Sequence, residues 1–248
     1  MIEVTGLYKS FGENKVLDDI TSSFEEGKTS LIIGASGSGK STLARCLVGL
    51  VAPDEGGVLF DGRDFLGMTG KERRGMLKEV GFLFQGSALF DFMTVEENIR
   101  FPLDMLTKMS TDEKAERVQF VLDRVELKDA HKLFPSELSG GMKKRVGIAR
   151  AIAPNPKYLF CDEPNSGLDP QTSIVIDNLI HEITQESNIT TVVITHDMNS
   201  VIEVGDYIMF LHQGKNWWEG DNKSILKTEN QEVLDFVYAS EFMKKIKA

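Results

Sequence analysis

The chain has 248 residues, with 28 basic against 38 acidic side chains and a formal charge of −10 at neutral pH. That length suits one globular unit or two tightly joined lobes, and 41% hydrophobic with 27% charged residues excludes a disordered, collagen-like or disulfide-scaffold chain. The acidic balance argues against a nonspecific nucleic-acid binder, which needs Lys and Arg over a broad face, but it leaves room for a local anion pocket.

In chain order, the segment from Ile2 to about Phe24 alternates loosely. Turns are expected at Gly6 and at Gly12-Glu13-Asn14, as between short antiparallel strands. Thr29 to Ile33 reads as a buried strand, followed by a glycine-rich turn and a helical pattern from Ser41 to Leu50. Val80 to Phe84 is a further apolar run and ends at Gln85. From about Ser87 to Pro135 the composition shifts, and Ala115, Val118, Val121, Leu122 and Val125 recur at helical spacing within Thr111 to Leu127, as in a helical insert.

Lys157 to Cys161 and Thr191 to Thr195 read as two more buried strands, and a second hairpin is expected near Gly214. Val233, Phe236 and Val237 make a short amphipathic stripe before the basic run Lys244-Lys245-Ile246-Lys247. It reads as a helix docked on its own domain, with a partner-binding arm as the alternative. Strands buried on both faces and separated by helices imply a parallel sheet of the α/β class, with ligands at the strands' carboxyl ends. No apolar run approaches the roughly 18 residues of a spanning helix, and Met1-Ile2-Glu3-Val4 has no basic segment before an apolar stretch, so a cytosolic chain recruited by a partner is expected. Cys46 and Cys161 lie inside apolar segments and read as small buried hydrophobes.

Gly34-Ala35-Ser36-Gly37-Ser38-Gly39-Lys40-Ser41-Thr42 fits GxxxxGK(S/T), after a strand and at the opening of a helix, the context that phosphate-cradling pattern requires. Glycines let backbone N–H groups turn around phosphate oxygens, the helix start adds partial positive charge, Lys40 would reach the outer phosphates and Ser41 a Mg²⁺ ion. Tyr158-Leu159-Phe160-Cys161-Asp162-Glu163-Pro164 is an apolar strand ending in two carboxylates, which need a cation or bonding partners there. In a phosphate-hydrolysing site Asp162 would hold Mg²⁺ and Glu163 would orient and deprotonate the attacking water.

Leu138-Ser139-Gly140-Gly141-Met142 opens another helix, with Ile148, Ala149, Ile152 and Ala153 on one side, and suits a second anion contact; Ser139 as a plain N-cap is the simpler reading. Two phosphate-binding helix ends so far apart in sequence imply either one folded-back site or a site shared between two chains. His196 follows the strand Thr191 to Thr195 and therefore shares the edge of Lys40 and Asp162, within reach of a γ-phosphate or the attacking water. Gln85 is placed for a Mg²⁺ or water contact.

The ordered set of phosphate loop, Gln85, Leu138-Ser139-Gly140-Gly141, Cys161-Asp162-Glu163-Pro164, Ser166-Gly167-Leu168-Asp169 and His196 resembles an ABC-type ATPase over nearly the whole chain. The resemblance implies a P-loop NTPase core with a mainly parallel sheet, an N-terminal antiparallel β subdomain and an inserted α-helical subdomain. It places the core at about 1–86 and 156–224, the insert at 87–155 and a helical tail at 225–248. It further implies ATP and Mg²⁺ as ligands, Phe11 stacked on adenine, Ser139, Gly140 and Gly141 of one subunit closing over ATP held by a second copy, and Asp169 at that interface.

Phe82-Leu83-Phe84-Gln85-Gly86-Ser87-Ala88-Leu89-Phe90, Thr94-Val95-Glu96-Glu97-Asn98-Ile99, Phe101-Pro102-Leu103, Pro135-Ser136-Glu137 and Met142 are similar to the Mla-type ATPases of MCE-protein lipid transporters. That narrower likeness implies a membrane permease, an MCE-type lipid-binding protein, phospholipid or related apolar cargo, and a place on the cytoplasmic face of the inner membrane. A transporter of other cargo and a non-transport ABC ATPase are the alternatives. Asn165 and Trp217-Trp218 depart from the pattern without an evident reason.

Overall fold

A computed structural model describes residues 1–239; the basic run at 244–247 lies outside them. The chain opens with β1 (Ile2–Phe11) and β2 (Asn14–Phe24), then β3 (Thr29–Ile33), α1 (Lys40–Leu47), β4 (Glu55–Phe60) and β5 (Arg63–Asp64). Next come α2 (Gly70–Leu77), β6 (Val80–Leu83), α3 (Val95–Leu106), α4 (Thr111–Arg124) and α5 (Gly140–Ile152). The remainder is β7 (Tyr158–Asp162), α6 (Pro170–Glu186), β8 (Thr190–Ile194), α7 (Met198–Val204), β9 (Tyr207–His212), β10 (Lys215–Gly220) and α8 (Gln231–Val237).

Two sheets result. An antiparallel one runs β2-β1-β4-β5, and a six-stranded one runs β10-β9-β3-β8-β7-β6, in which only β10 is antiparallel to its neighbour. All residues of β3, β7 and β8 are buried because both faces of this sheet are covered. Leu31, Ile33, Leu159 and Cys161 pack toward α3 to α6, whereas Ile32, Tyr158 and Phe160 pack toward α1 and the antiparallel sheet, as the two-residue strand period demands. A mainly parallel sheet, an N-terminal antiparallel sheet and helices inserted between β6 and β7 match the architecture expected from the sequence.

Helix starts follow local capping chemistry. Thr94 with Glu97 and Ser110 with Glu113 form capping boxes before α3 and α4, while Asp169 accepts from Thr172 N and Pro170 opens α6. α1 stops at Leu47 rather than Leu50 because Gly49 turns left-handed at φ 72°, where a Cβ would lie 2.8 Å from the Phe65 ring. Val233 and Val237 of α8 are buried in the core, so this helix docks on its own domain. Cys46 and Cys161 are free and buried; burial pushes the Cys46 thiol up to about 11. Among the described residues no helix is long and apolar enough to cross a membrane.

One expected turn is a bulge instead. Gly6, at φ 54°, lies inside β1, where the pairing with β2 slips between Val4 and Leu7 and that with β4 slips between Thr5 and Tyr8. Gly56 of β4 packs against this bulge: at φ 101°, a Cβ on it would sit 2.3 Å from Gly6 O and 2.6 Å from Leu7 Cα. Strain and overlap with backbone act together there. Gly56→Ala should cost about 2–4 kcal/mol in urea denaturation, and Gly62→Ala, left-handed but in open space, only about 1–2 kcal/mol.

Candidate functional site

The parallel register brings the carboxyl ends of four strands together. Leu83 of β6 pairs with Cys161, Asp162 of β7 with Ile194, and Ile194 in turn with Ile32. Residues that follow these strands therefore meet along one edge.

After β3 the chain turns through Gly34 (φ 147°), Gly37 (φ 80°) and Gly39 (φ 105°) into α1. A side chain at Gly34 would strike Leu211 O at 2.2 Å, so the loop must lie close against β9. Gly39 caps α1 without a side-chain hydrogen bond, which leaves backbone donors at the helix start. Lys40 is 7% exposed and donates from Nζ to Gly34 O (2.8 Å) and Ala35 O (2.9 Å); burial holds its pKa below the ordinary lysine range. The Ser38 hydroxyl is buried without a partner.

A cavity of about 790 Å³ lies over this loop, lined by residues 34–37 and 39–42 together with Gln85, Glu163 and His196. Val16, Met198 and Phe236 close its other sides. Asp162 is 5% exposed and accepts from Ser41 Oγ at 3.1 Å; burial is the main cause that raises its pKa. Glu163 leaves the strand left-handed (φ 47°), its N–H donating to Ile194 O at 2.9 Å. Its carboxylate is held from two sides. Oε2 accepts from Gln85 Nε2 at 2.8 Å, and Oε1 lies 3.2 Å from His196 Nδ1.

Residues 34–37 and 39–42, Gln85, Asp162, Glu163 and His196 thus converge. Phe11, Ser139, Gly140 and Gly141 do not. Phe11 stands 54% exposed at the end of β1 and does not line the cavity. Ser139 caps α5, accepting from Met142 N at 3.3 Å, and none of residues 138–141 reaches the cavity wall. Asp169 caps α6 through Thr172.

Sequence reasoning missed several partners. Lys144 of α5 is 5% exposed and donates to the main-chain carbonyls of Gln85 and, at 3.1 Å, Glu163. Arg150 donates to Ser87 O (2.6 Å) and Ala88 O (2.7 Å), consecutive residues that are both left-handed. Lys144, Ile148 and Ile152 recur at four-residue spacing, so Lys144 shares their buried face; that period was the available signal.

Asn165, unexplained in the sequence, belongs to a buried triangle. Its Nδ2 donates to Asp177 Oδ2 (2.8 Å) and Ser200 Oγ (3.1 Å), and Ser200 Oγ donates to the same carboxylate at 2.6 Å. The triangle ties the loop after Glu163 to α6 and to α7, which follows His196 directly.

Loop, carboxylates and fold together define a nucleotide-binding cassette. The ABC transporter family profile matches residues 17–166, and the chain belongs to that family. By class it is an ATPase. It is 37% identical over 236 residues to the probable ribonucleotide transport ATP-binding protein mkl of Mycobacterium leprae, covering 95% of this chain and 68% of that protein. It is 39% identical over 241 residues to the methionine import ATP-binding protein MetN of Clostridium acetobutylicum, covering 97% of this chain and 75% of that protein. The ATP-binding cassette MJ0796, solved as a dimer in a post-hydrolysis state with ADP and Pi, superposes with a TM-score of 0.82 at 32% identity, over 90% of this chain and 99% of that one. The curated relatives are longer: this chain spans about two thirds of the mycobacterial protein.

Burial, with Asp197 and Glu203 adding repulsion, lifts the Asp177 carboxyl from 3.8 to about 6 against the bonds from Ser200 and Asn165. The folded chain therefore holds this proton more tightly than the unfolded one, and the associated stability, complete below about pH 3.8, is lost as pH rises through about 6. Between pH 5 and pH 7 wild type should lose about 1 kcal/mol relative to Asp177→Asn, measured by denaturant unfolding at each pH.

Proposed function

We propose that the chain binds and hydrolyses ATP as the motor subunit of a membrane transporter, working as a pair of copies. The observation that carries this reading is the Glu163 carboxylate held between Gln85 and His196 at the edge of the cavity that Lys40 enters. Residues 1–86 and 156–224 form the nucleotide-binding core, residues 87–155 the insert that presents Ser139, and 225–248 the tail.

The loop amides and Lys40 hold the triphosphate, Lys40 exchanging its bonds to Gly34 O and Ala35 O for phosphate oxygens. Ser41, Asp162 and Gln85 suit Mg²⁺: one carboxylate and two neutral oxygen donors fit an ion that keeps waters and phosphate ligands. When bound, that ion would neutralise charge on the phosphate oxygens. Glu163 accepts a proton from water as the water oxygen bonds to the γ-phosphorus; the bond to the β–γ bridging oxygen breaks, giving ADP and inorganic phosphate. His196 holds the Glu163 carboxylate in place and faces the γ-phosphate, and Phe11, exposed at its strand end, supplies an aromatic face for adenine.

Residues 138–141 lie outside the cavity, which supports a site completed by Ser139, Gly140 and Gly141 of a second copy, with Asp169 beside them. A groove of about 400 Å³ lined by Phe82, Phe84, Phe90, Phe101 and Pro102 suits an apolar helix of a permease. Leu89, within the same segment, packs on the core rather than lining the groove. The chain then sits at the cytoplasmic face of the inner membrane. Phospholipid cargo and an MCE-type partner rest on the sequence likeness alone, since the relatives above are named for ribonucleotide and methionine transport.

Glu163→Gln should keep ATP affinity and slow turnover roughly 10²- to 10⁴-fold, read by calorimetry and phosphate release; hydrolysis at the wild-type rate refutes the assignment. Lys40→Ala should weaken ATP binding itself. A cysteine at Ala88, exposed on the groove, should crosslink to a copurified permease in membranes.

A further inference from the structure

We propose that Lys144 is a positioning residue that couples the two nucleotide sites of the pair, making the Glu163 carboxylate of one site answer to ATP in the other. The inference rests on the two-copy reading above and concerns how its sites communicate.

α5 has two ends of business within one protomer. Its first residues follow Ser139 and, in that reading, touch the partner's ATP. One turn further along, the buried Lys144 ammonium donates to the carbonyls of Gln85 and Glu163, the two residues whose side chains are joined at 2.8 Å beside this chain's own ATP. Lys144 thus grips the backbone beneath the hydrolytic pair.

The grip cannot loosen without cost. An ammonium has three donors and no acceptor, and at 5% exposure water does not replace a lost carbonyl. A 1 Å shift of α5 away from β7 would stretch the 3.1 Å bond past hydrogen-bonding range, leaving a buried cation underbonded. The lower-energy path is for the backbone of Gln85 and Glu163 to follow the helix.

Two further contacts on the same face make α5 and the segment after β6 move as one body. A Cβ on Gly147 would lie 2.7 Å from Leu83 Cδ1 and 3.3 Å from Ser87 Cβ, so helix and segment are already in close contact. Arg150 clamps Ser87 O and Ala88 O, holding two left-handed residues that have no glycine to ease them. Displacement of the helix start therefore reaches Glu163 through one side chain rather than through a deformable loop.

The test uses the full chain with Lys144→Met, Lys144→Gln and Lys144→Arg. ATP affinity is measured by calorimetry, kcat and the Hill coefficient by phosphate release, and amide exchange is followed in 85–88 and 163–168. The expected result for Lys144→Met is affinity within about twofold of wild type, kcat lower by roughly tenfold, cooperativity lost and faster exchange in both segments. Lys144→Arg, which keeps charged donors, should recover part of each. If Lys144→Met fails to fold, the Gln and Arg variants carry the same comparison. Wild-type kcat and Hill coefficient in folded variants, or a wild-type enzyme with no cooperativity, overturns the coupling. The two-copy reading is scored separately: Glu163→Gln that stays monomeric with ATP by light scattering refutes that reading, whereas a dimer with unaffected Lys144 variants refutes only the coupling.

Discussion

Two carboxylates at the end of a fully buried strand are the constraint around which this molecule is organised. A charge there must find donors, because a bare carboxylate inside protein is far costlier than one in water. Asp162 is answered by Ser41, and Glu163 by Gln85 and His196, from three different strand ends. Those partners arrive together because β3, β8, β7 and β6 run parallel and in register, so that the segments following them meet at one edge of the sheet. The sheet order and the site are therefore one fact.

Much of that arrangement is written locally. The apolar runs of β3, β7 and β8 can be read from composition because both faces are covered, and the glycines before Lys40 can be read because a close, left-handed turn needs them. Capping at the starts of α3, α4 and α6 is equally local, its chemistry complete within four residues, yet Thr94, Ser110 and Asp169 did not enter the sequence reading as caps. Gly6 was misleading, since a glycine in a strand serves a turn or a bulge equally well and only the slipped pairing of β1 with β2 and β4 distinguishes them.

What sequence could not show are bonds made by atoms every residue has. Lys144 bonds to main-chain carbonyls, as does Arg150, so no residue type at the receiving end advertises the contact. The left-handed backbone at Glu163, Ser87 and Ala88 is equally silent, because none is glycine and the surrounding bonds, not the side chain, hold the conformation. Asn165 is intermediate: its amide signals a polar partner, but Asp177 and Ser200 come from two separate helices, α6 and α7.

The contrast between the two buried clusters bears on how the site works. Asn165, Asp177 and Ser200 join three segments that flank Glu163 and His196, and a carboxylate ringed by neutral donors favours one fixed spacing between them. Lys144 and Arg150 instead join α5 to the segments bearing Gln85 and Glu163, through cations on carbonyls whose loss is expensive. One cluster ties the segments that bear Glu163 and His196 to each other, and the other, in the coupling proposed above, sets where that pair sits relative to the helix that begins after Ser139. In the two-copy reading proposed above, the two halves of the site belong to different bodies and become competent only when those bodies dock, which is the behaviour a nucleotide-driven motor requires.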